Sequence, residues 1–468
     1  MPSFLTYFNI QGDSDKVAQV KGTVVSLLQV GCCIGAILSS FVADPLGRKK
    51  SIMVFAFVFL LGGILQVVAN RIEIMMVGRC ISGLGIGSCS MLVPMYLAEI
   101  ASKSNRGKSL VSWQLNIVIG IFLSYWVDYA CIRGFSPTNN LQWRLPLIIQ
   151  LVPGIILFFG IMILPESLRW LADKGKEDQL KLSLLKLREV PETDELFQEE
   201  LQEILTTAKE EADNKKLLSY HFKQKTTLHR LSIGILLQVF QQLTFTNGIN
   251  YYAPNIFRSI GLTSNATDIL ATGIYGAVKV LFVIISYFLV DGKYGRRRTL
   301  IIGSIVMFIS LYGLAIFIYK IQQENGGVID DTLKVGVKGY LAIFMVYLFA
   351  AGYEFSFGPI PWLYCSELFP TAIRAVCLSI TTFFNWAFNA AIAKITPIMM
   401  TQLQYGTYFF FGTMCLVMGV FVYLFVPETR GKSLEEINQL FNGNHYLVYK
   451  SHSIPYQKVQ TNEEIEGN

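Results

Sequence analysis

The feature of this sequence that most constrains its fold is a series of runs of about 20 apolar residues. A helix that spans a membrane needs about 20 predominantly apolar residues, because the hydrocarbon core of a bilayer is about 30 Å thick. Of the 468 residues, 52% are hydrophobic and only 15% are charged, whereas a soluble domain has about 25% charged residues. We therefore predict an all-α polytopic membrane protein. Eleven spans are predicted, at residues 22–43, 50–69, 77–100, 109–131, 145–164, 229–252, 269–290, 299–319, 339–365, 375–396 and 406–426.

Every second connection between these runs is basic, as in the turns DPLGRKK at 44–50 and DGKYGRRR at 291–298. The positive-inside rule places such loops and the C-terminus in the cytoplasm, and it places the start of the chain outside. Residues 165–228 are rich in Lys and Glu, with leucines three and four positions apart, which indicates surface helices rather than a span. The predicted domains are an incomplete N-terminal helix bundle at 1–164, a cytoplasmic linker at 165–228, a C-terminal six-helix bundle at 229–440 and a cytoplasmic tail at 441–468.

The two halves of the chain carry the same features in the same order, which indicates an internal repeat. DPLGRKK corresponds to DGKYGRRR, and EIASKSNRG at 99–107 corresponds to ELFPTAIRA at 367–375. Two predicted spans precede the basic turn in the second half, but only one precedes it in the first. By this count the chain lacks the first helix of a six-plus-six architecture. We therefore expect Met1 to be an internal methionine of a longer reading frame, or the chain to be a truncated form.

Side chains that commonly hold metals or carry out catalysis form no recognisable pattern in this sequence. The eight cysteines lie in or at the ends of apolar runs without CxxC or Cys/His spacing, and the four histidines lie outside the apolar cores. The sequence shows no nucleophile elbow, no phosphate loop and no soluble domain large enough for catalysis. The net charge of +6 comes without a nucleic-acid motif, and basic cytoplasmic loops explain it. We predict no enzyme activity, metal, cofactor or nucleic-acid partner; the expected partners are the lipid bilayer and a small solute.

Uncharged polar residues inside the predicted spans indicate where a solute binds. Gln241, Gln242 and Asn247 place amides on much of one helix face, with Asn250 and Tyr251 about a turn further on. Sugar hydroxyls pair with amides while the C–H faces of the ring stack on aromatic side chains, so this combination suits a sugar or polyol. Further amides and flat aromatic surfaces are Gln114, Asn116, Trp362, Asn385, Trp386 and Asn389. The alternative is that the amides bond to one another across helices and hold the bundle together.

Acidic and basic residues recur together at the predicted cytoplasmic ends of both halves. Short turns such as Gly47-Arg48-Lys49 can bind the carbonyl ends of neighbouring helices, and nearby carboxylates can pair with the arginines. This arrangement predicts a lock between the halves that forms and breaks as the protein rocks. The predicted members of the lock are Asp44, Arg48, Glu99, Arg106, Asp291, Arg297, Glu367 and Arg374. The alternative is that these residues only anchor helices at the lipid headgroups.

From about residue 22 to residue 440 the chain resembles the sugar porters of the major facilitator superfamily. The motifs that carry the resemblance are DPLGRKK, GRCISGLGIG (78–87), PMYLAEIASKSNRG (94–107), PESLRWL (165–171), QQLTFTNGINYY (241–252), GPIPWLYCSELFPTAIRA (358–375) and PETRGKSLEEI (427–437). The resemblance implies a major facilitator fold of two six-helix repeats and transport by alternating access. It assigns to the sugar pocket Gln114, Gln241, Gln242, Asn247, Tyr251, Glu354, Trp362, Asn385, Trp386 and Asn389. Phe245 stands where the family usually has glycine.

The resemblance also identifies Arg79 as the candidate for proton coupling. Proton-linked sugar porters pair an acidic residue on the first helix with the arginine that matches Arg79. Family members continue upstream of a sequence such as PSFLTYFNI, which lies at the start of this chain. We therefore expect Arg79 to lack its usual partner in the chain as given, and we expect proton coupling to belong to a longer form.

Lys279 lies near the middle of the predicted span 269–290. A charge at the centre of a membrane helix costs roughly 2.5–3.5 kcal/mol on insertion scales, so it needs a partner. Lys279 stands where neutral-sugar carriers usually have a pocket asparagine, and the flanking TNGINYYAPNIF and TGIYGAVK resemble fungal quinate and sugar-acid carriers. One hypothesis is that Lys279 binds the carboxylate of a substrate. The other is that Glu354 or another carboxylate neutralises it.

The spans, the repeat and the polar residues together predict a multi-pass secondary transporter of the plasma membrane for a small polyhydroxylated solute. The narrower prediction is a cyclic hydroxy-acid such as quinate, or a sugar acid. The alternatives are a neutral hexose or pentose facilitator and a non-transporting nutrient sensor built on the same fold.

Overall fold

The structure, a computed structural model, describes residues 2–10, 14–102, 104–213, 222–259, 265–292, 294–324, 336–432, 436–437 and 441. Within these residues the regular secondary structure is helical, without a β-strand. Almost all of the predicted cytoplasmic tail at 441–468 lies outside the described residues.

The first part of the described chain is a bundle of long helices preceded by one short helix. The short helix is α1 (Pro2–Tyr7), and the bundle contains α2 (Ser14–Leu46), α3 (Arg48–Val68), α4 (Ile72–Ile100), α5 (Arg106–Gly134) and α6 (Leu141–Ile163). Helices α2 and α4 pack closely, because glycines at their contact leave no side chain between the backbones. A Cβ at Gly87 would lie 2.1 Å from the carbonyl oxygen of Cys32, so a larger residue there would separate the helices.

Three shorter helices with a small hydrophobic core of their own follow the first bundle. They are α7 (Leu168–Asp173), α8 (Glu177–Arg188) and α9 (Glu195–Asp213). Leu168 and Trp170 of α7 pack with Leu180 and Leu184 of α8 and with Phe197 of α9. None of the three is among the helices of the described chain that are long and apolar enough to span a membrane. The amphipathic spacing of the leucines thus produces helices that bury one face against each other.

The second bundle contains more helices than the first. They are α10 (Lys225–Leu243), α11 (Thr246–Ser259), α12 (Asn265–Leu289), α13 (Gly295–Glu324), α14 (Val337–Phe355), α15 (Ile360–Leu368), α16 (Thr371–Gln402) and α17 (Gly406–Phe425). Their apolar faces meet in the largest hydrophobic core of the described chain, which includes Leu237, Met307, Phe349 and Phe411.

Two of the predicted spans, 229–252 and 339–365, are each broken into two helices. Between α10 and α11, Phe245 adopts a left-handed backbone conformation at φ 77°. That region costs an L-residue about 1–2 kcal/mol, and the buried Phe245 ring stacks on Phe411 with centroids 4.5 Å apart. The second break separates α14 from α15. Broken helices are tolerated at membrane depth where the backbone is buried in protein or lines a cavity.

Nine helical segments in the described part of the chain are long and apolar enough to cross a membrane. One of them, Val337–Leu368, includes both α14 and α15. Helix α12 is apolar over the shorter stretch Gly273–Leu289. The predicted class, an all-α multi-pass membrane protein, is confirmed, while the count of eleven spans and the domain limits stay predictions.

The two bundles contact each other most extensively along two pairs of helices. Helix α2 packs against α16, and α5 packs against α12. The second contact buries Val111 and Val118 of α5 in one hydrophobic cluster with Val283 and Val290 of the second bundle. Residues from both bundles also enclose a cavity.

Candidate functional site

The cavity between the bundles has a volume of about 600 Å³. Small-molecule sites are typically about 300–1,000 Å³. Apolar side chains of the first bundle form part of its wall, among them Phe59, Ile86 and Leu157. The polar and aromatic part of the wall consists of Ser90, Trp113, Gln114, Asn116, Gln241, Gln242, Thr246, Asn247, Asn250, Lys279, Tyr353, Glu354, Trp362, Asn385, Trp386 and Asn389.

Every residue predicted for the solute site whose side chain is described lines this cavity. These residues are Gln114, Gln241, Gln242, Asn247, Lys279, Glu354, Trp362, Asn385, Trp386 and Asn389. The side chain of Tyr251 lies outside the described residues. Trp113, Thr246 and Tyr353 also line the cavity. They were not predicted, because aromatic and hydroxyl side chains are frequent in apolar helices and do not stand out in the sequence. Contact of these residues with a solute stays a prediction.

Amide side chains of α10, α11 and α16 form a hydrogen-bonded chain along the cavity wall. Asn385 Nδ2 donates to Gln241 Oε1 and to Gln238 Oε1, both at 2.7 Å. Gln242 Nε2 donates to Asn385 Oδ1 at 3.1 Å, and Gln242 Oε1 accepts from Asn247 Nδ2 at 2.5 Å. Gln241, Gln242, Asn247 and Asn385 thus bond to one another and line the cavity at the same time, while Gln238 is buried behind them. Because their orientations are fixed by these bonds, little side-chain freedom would be lost when a solute binds.

Polar contacts beside the cavity join the two bundles, and two of them involve α16. Gln29 Nε2 of α2 donates to Asn389 Oδ1 of α16 at 2.8 Å. Trp386 Nε1 of α16 donates to Ser90 Oγ of α4 at 3.0 Å. Gln29 did not stand out in the sequence analysis, although it is an amide inside an apolar run and carries the same signal as the others. Any movement of one bundle against the other must change both contacts.

The break between α14 and α15 is held by a side chain of α10. Gln241 Nε2 donates to the carbonyl oxygens of Phe357 at 2.8 Å and Gly358 at 3.1 Å. Gly358 also gives space to the Glu354 carboxylate, because a Cβ at this position would lie 2.6 Å from Glu354 Oε2. The broken helix therefore exposes backbone carbonyls that an amide satisfies, and it makes space for a buried acid.

Lys279 and Glu354 form a buried ion pair on the cavity wall. Lys279 Nζ lies 3.0 Å from Glu354 Oε1, and both side chains are almost completely buried. The ammonium also donates to Asn250 Oδ1 at 3.3 Å and lies 5.6 Å from the centroid of the Tyr275 ring. Gln114 Nε2 donates to the other carboxylate oxygen, Glu354 Oε2, at 3.0 Å. Pairing with Glu354, one of the two hypotheses for Lys279, is therefore present in the structure.

The end of the molecule that carries the two basic turns, here called the basic-turn end, contains a buried network of charges. Arg48 Nε and Nη2 donate to the two oxygens of Glu99 at 3.0 and 3.3 Å, and Arg48 Nη1 lies 3.2 Å from Asp44 Oδ1. Glu99 Oε2 also accepts from Ser167 Oγ at 2.5 Å. Arg374 of the second bundle donates to Glu99 Oε1 at 3.4 Å, so this network joins the two bundles.

The second half of the chain repeats this arrangement. Arg296 Nη2 lies 3.0 Å from Asp291 Oδ1 and 3.3 Å from Glu367 Oε1. Glu367 Oε2 accepts from Thr429 Oγ1 at 2.9 Å. Asp291 Oδ2 accepts from the backbone N–H of Lys108, in the first turn of α5, at 2.9 Å. A carboxylate at a helix N-terminus is favourable, and this contact is a second link between the bundles.

The structure corrects one member of the predicted lock. Arg297 does not join the network, because its guanidinium donates to a backbone carbonyl oxygen of α17 at 2.5 Å. Arg296, which directly follows Gly295 with φ 70°, takes the buried position. In the same way Arg48 follows Gly47, whose φ is 89°. The residue after the left-handed glycine points inward in both turns, and the Gly-Arg spacing in the sequence could have identified it.

Two further charges predicted from the sequence, Arg79 and Arg106, lie on helices of the first bundle. Arg106 is buried at the start of α5. Arg79 is half-buried on α4 and is not among the described residues that line the cavity. Its Nε has no hydrogen-bond partner among the described residues. The role of Arg79 in proton coupling stays a prediction.

Known proteins with similar sequences are transporters. The profile of the family described as sugar (and other) transporter matches residues 1–441. A quinate permease of Neurospora terricola is 33% identical over 452 residues, which cover 94% of this chain and 83% of the relative. A probable quinate permease of Aspergillus niger is 32% identical over 452 residues, which cover 95% of this chain and 83% of the relative.

Solved structures with a similar fold include those of the xylose transporter XylE. The proton:xylose symporter XylE bound to 6-bromo-6-deoxy-D-glucose has a TM-score of 0.81 at 27% identity, covering 94% of this chain and 93% of that chain. The inward-open conformation of the xylose transporter XylE from E. coli has a TM-score of 0.67 at the same identity and coverage. Fold and relatives define a membrane transporter of the major facilitator superfamily rather than an enzyme. Within that class, the chain belongs to the sugar (and other) transporter family.

Proposed function

We propose that this protein carries a cyclic hydroxy-acid such as quinate, or a sugar acid, across a membrane by alternating access. The observation that supports this most directly is Lys279, an ammonium on the wall of a cavity lined by neutral amides and aromatic rings. An ammonium attracts a carboxylate strongly in a cavity of low dielectric, and the amides suit the hydroxyls of the same solute. The relatives named as quinate permeases support the same substrate class.

We also propose how the protein is oriented in the membrane and which contacts open during transport. The basic-turn end faces the cytoplasm, the protein resides in the plasma membrane, and the links Glu99–Arg374 and Asp291–Lys108 open once in each cycle. The higher TM-score for ligand-bound XylE than for inward-open XylE supports a conformation that is not inward-open. Coupling to protons is included because XylE is named as a proton:xylose symporter.

A neutral hexose or pentose is the second candidate substrate, and one observation favours it. Glu354 lies 3.0 Å from Lys279, so the two charges of the cavity wall cancel. A cavity without net charge would accept a neutral sugar without further change. The solved relative XylE binds such a molecule, 6-bromo-6-deoxy-D-glucose.

Uptake by cells that lack their own carriers for these solutes distinguishes the two candidates. Labelled quinate, galacturonate, glucose and xylose are offered to cells that produce this chain, its Lys279→Asn variant or its Lys338→Asn variant. Lys338 lies near the start of α14, where its side chain is exposed, and serves as the matched control. We expect the chain and the control to take up quinate or galacturonate. In Lys279→Asn, uptake of the acids should fall at least about tenfold, the effect of about 1.4 kcal/mol, while uptake of neutral sugars persists.

Two results would contradict the hydroxy-acid proposal. Uptake of glucose or xylose without uptake of either acid would establish the second candidate. Binding of a solute by the purified protein without any uptake would identify a nutrient sensor instead of a carrier.

A further inference from the structure

Glu354 is a buried acidic residue, and one oxygen of its carboxylate accepts no hydrogen bond from the described residues. Its Oε1 lies 3.0 Å from Lys279 Nζ, yet Oε1 has no hydrogen-bond partner among the described residues. The distance is that of an ion pair. Oε2, in contrast, accepts a hydrogen bond from Gln114 Nε2 at 3.0 Å. One oxygen of this buried carboxylate is therefore fixed, and the other is held by charge alone.

The charges on the cavity wall leave no capacity for an additional anion. Among the described residues that line the cavity, Lys279 is the one cation and Glu354 the one anion. A carboxylate solute that enters would leave a net charge of minus one beside a pair of buried charges. An uncompensated buried charge costs several kcal/mol, so either the solute is rejected or the excess charge is neutralised.

We propose that Glu354 is the proton acceptor of this transporter: a substrate carboxylate displaces it from Lys279, and Glu354 takes up one proton from water in the same step. The inference rests on the proposed hydroxy-acid substrate. Before binding, the wall holds the Lys279 ammonium and the Glu354 carboxylate. After binding, it holds the Lys279 ammonium, the substrate carboxylate and the neutral Glu354 carboxylic acid. One anion and one proton have entered, so the cavity remains neutral throughout.

The local geometry suits this exchange. Oε1 is the oxygen next to Lys279, and it is the atom that would receive the proton and become a hydrogen-bond donor. Oε2 can keep the hydrogen bond from Gln114 in both protonation states, because the amide only donates to it. Asn250 Oδ1 continues to accept from the ammonium and holds Lys279 in position when Glu354 withdraws.

The surroundings of Glu354 offer few other groups that could take the proton. Among the described residues, the titratable side chains that face the pair are Tyr275 of α12, at 5.6 Å from Lys279 Nζ to the ring centroid, and Tyr353 of α14, at 6.0 Å. Helices α5 and α11 supply the neutral amides Gln114 and Asn250. Neutral tyrosines and amides cannot accept a proton in the ordinary pH range. Glu354 is therefore the acceptor, independently of Arg79 in the first bundle.

Proton uptake by the purified wild-type protein is the first measurement. Quinate is added to the protein in weakly buffered solution with a pH-sensitive dye, and glucose is added in a parallel sample. We expect about one proton to be taken up for each bound quinate and none for glucose. Quinate binding without proton uptake would overturn the inference while leaving the proposed substrate intact.

The pH dependence of quinate binding in Glu354→Gln assigns the proton to its site. Because binding takes up a proton, wild-type affinity should rise about tenfold for each pH unit that is lowered, as long as Glu354 is ionised in the free protein. The glutamine is neutral at all pH values, so this slope should fall to nearly zero, and a pH gradient should no longer drive quinate accumulation in vesicles. Glu73→Gln, an exposed acid near the start of α4, is the matched control and should keep the wild-type slope.

The outcomes separate the two proposals. An unchanged slope in Glu354→Gln would show that another group takes the proton and would overturn this inference alone. Failure of the wild type to bind quinate and galacturonate, with binding of neutral sugars, would overturn the proposed substrate and this inference together. If Glu354→Gln does not fold, proton uptake by the wild type still decides whether binding and protonation are linked.

Discussion

The basic-turn end and the central cavity both contain buried charges, but the two regions satisfy them differently. At the basic-turn end, both oxygens of Glu99 and both oxygens of Glu367 accept hydrogen bonds. In the cavity, Glu354 Oε1 accepts none from the described residues, although an ammonium lies 3.0 Å away. The first region also occurs twice, once in each half of the chain. A charge network whose carboxylates accept all their hydrogen bonds, and which occurs in both halves, indicates a contact that holds the two bundles together. An ion pair with a free hydrogen-bond acceptor indicates a site where a solute binds.

The largest expected effect comes from breaking the satisfied network at its centre. Glu99 contacts Arg48 and Arg374, so Glu99→Gln leaves buried positive charge uncompensated. Breaking a buried pair costs about 3–5 kcal/mol, and we expect solute uptake to fall well over tenfold at equal surface abundance. Surface labelling and uptake on the same cells give the measurement, with Glu73→Gln as control. Undiminished uptake would mean that the network only fixes orientation in the membrane.

The second prediction uses two neighbouring arginines with opposite surroundings. Arg296 is buried between Asp291 and Glu367, while Arg297 binds a backbone carbonyl on the outside of the bundle. Arg296→Ala should lower uptake at least about tenfold, because it leaves two carboxylates unpaired. Arg297→Ala should change uptake less than about threefold. Equal losses in the two variants would contradict the assignment of the inward position to Arg296.

A smaller effect is expected in the amide chain of the cavity. Asn385 forms hydrogen bonds with Gln238, Gln241 and Gln242. Asn385→Ala removes these bonds, and each buried donor or acceptor that is left without a partner lowers the free energy of unfolding by about 1–3 kcal/mol. We expect a lower melting temperature of the purified protein together with weaker solute binding. Asn116→Ala is the matched control, because Asn116 lines the cavity but bonds within its own helix, to the carbonyl oxygen of Ser112. If Asn116→Ala lowered the melting temperature as much as Asn385→Ala, the hydrogen bonds among the amides would not be what stabilises this part of the protein.

Much of the candidate site could be predicted because its residues contrast with their surroundings. Amides such as Gln241 and Asn385 stand out in apolar helices, and so does Lys279. Gln29 carries the same signal but was missed, since it is the single amide in the predicted span 22–43. Tyr353 and Trp113 carry no such signal, because aromatic residues occur on every face of a membrane helix. Periodicity in the sequence indicates which residues share a face, and it does not indicate which face meets the cavity.

The sequence by itself determined the class, the helices and the repeat of this protein. A run of apolar residues that crosses a bilayer must satisfy its own backbone hydrogen bonds, which a helix does. The Gly-Arg turns and their acidic partners recur in both halves and can be recognised from the sequence alone. The tertiary structure decided two other things: that the predicted span 229–252 breaks at Phe245, and that Lys279 pairs with Glu354. The contact between Lys279 and Glu354 depends on the rotation of one helix against another. Packing of distant segments sets that rotation, and neither hydropathy nor motif spacing encodes it.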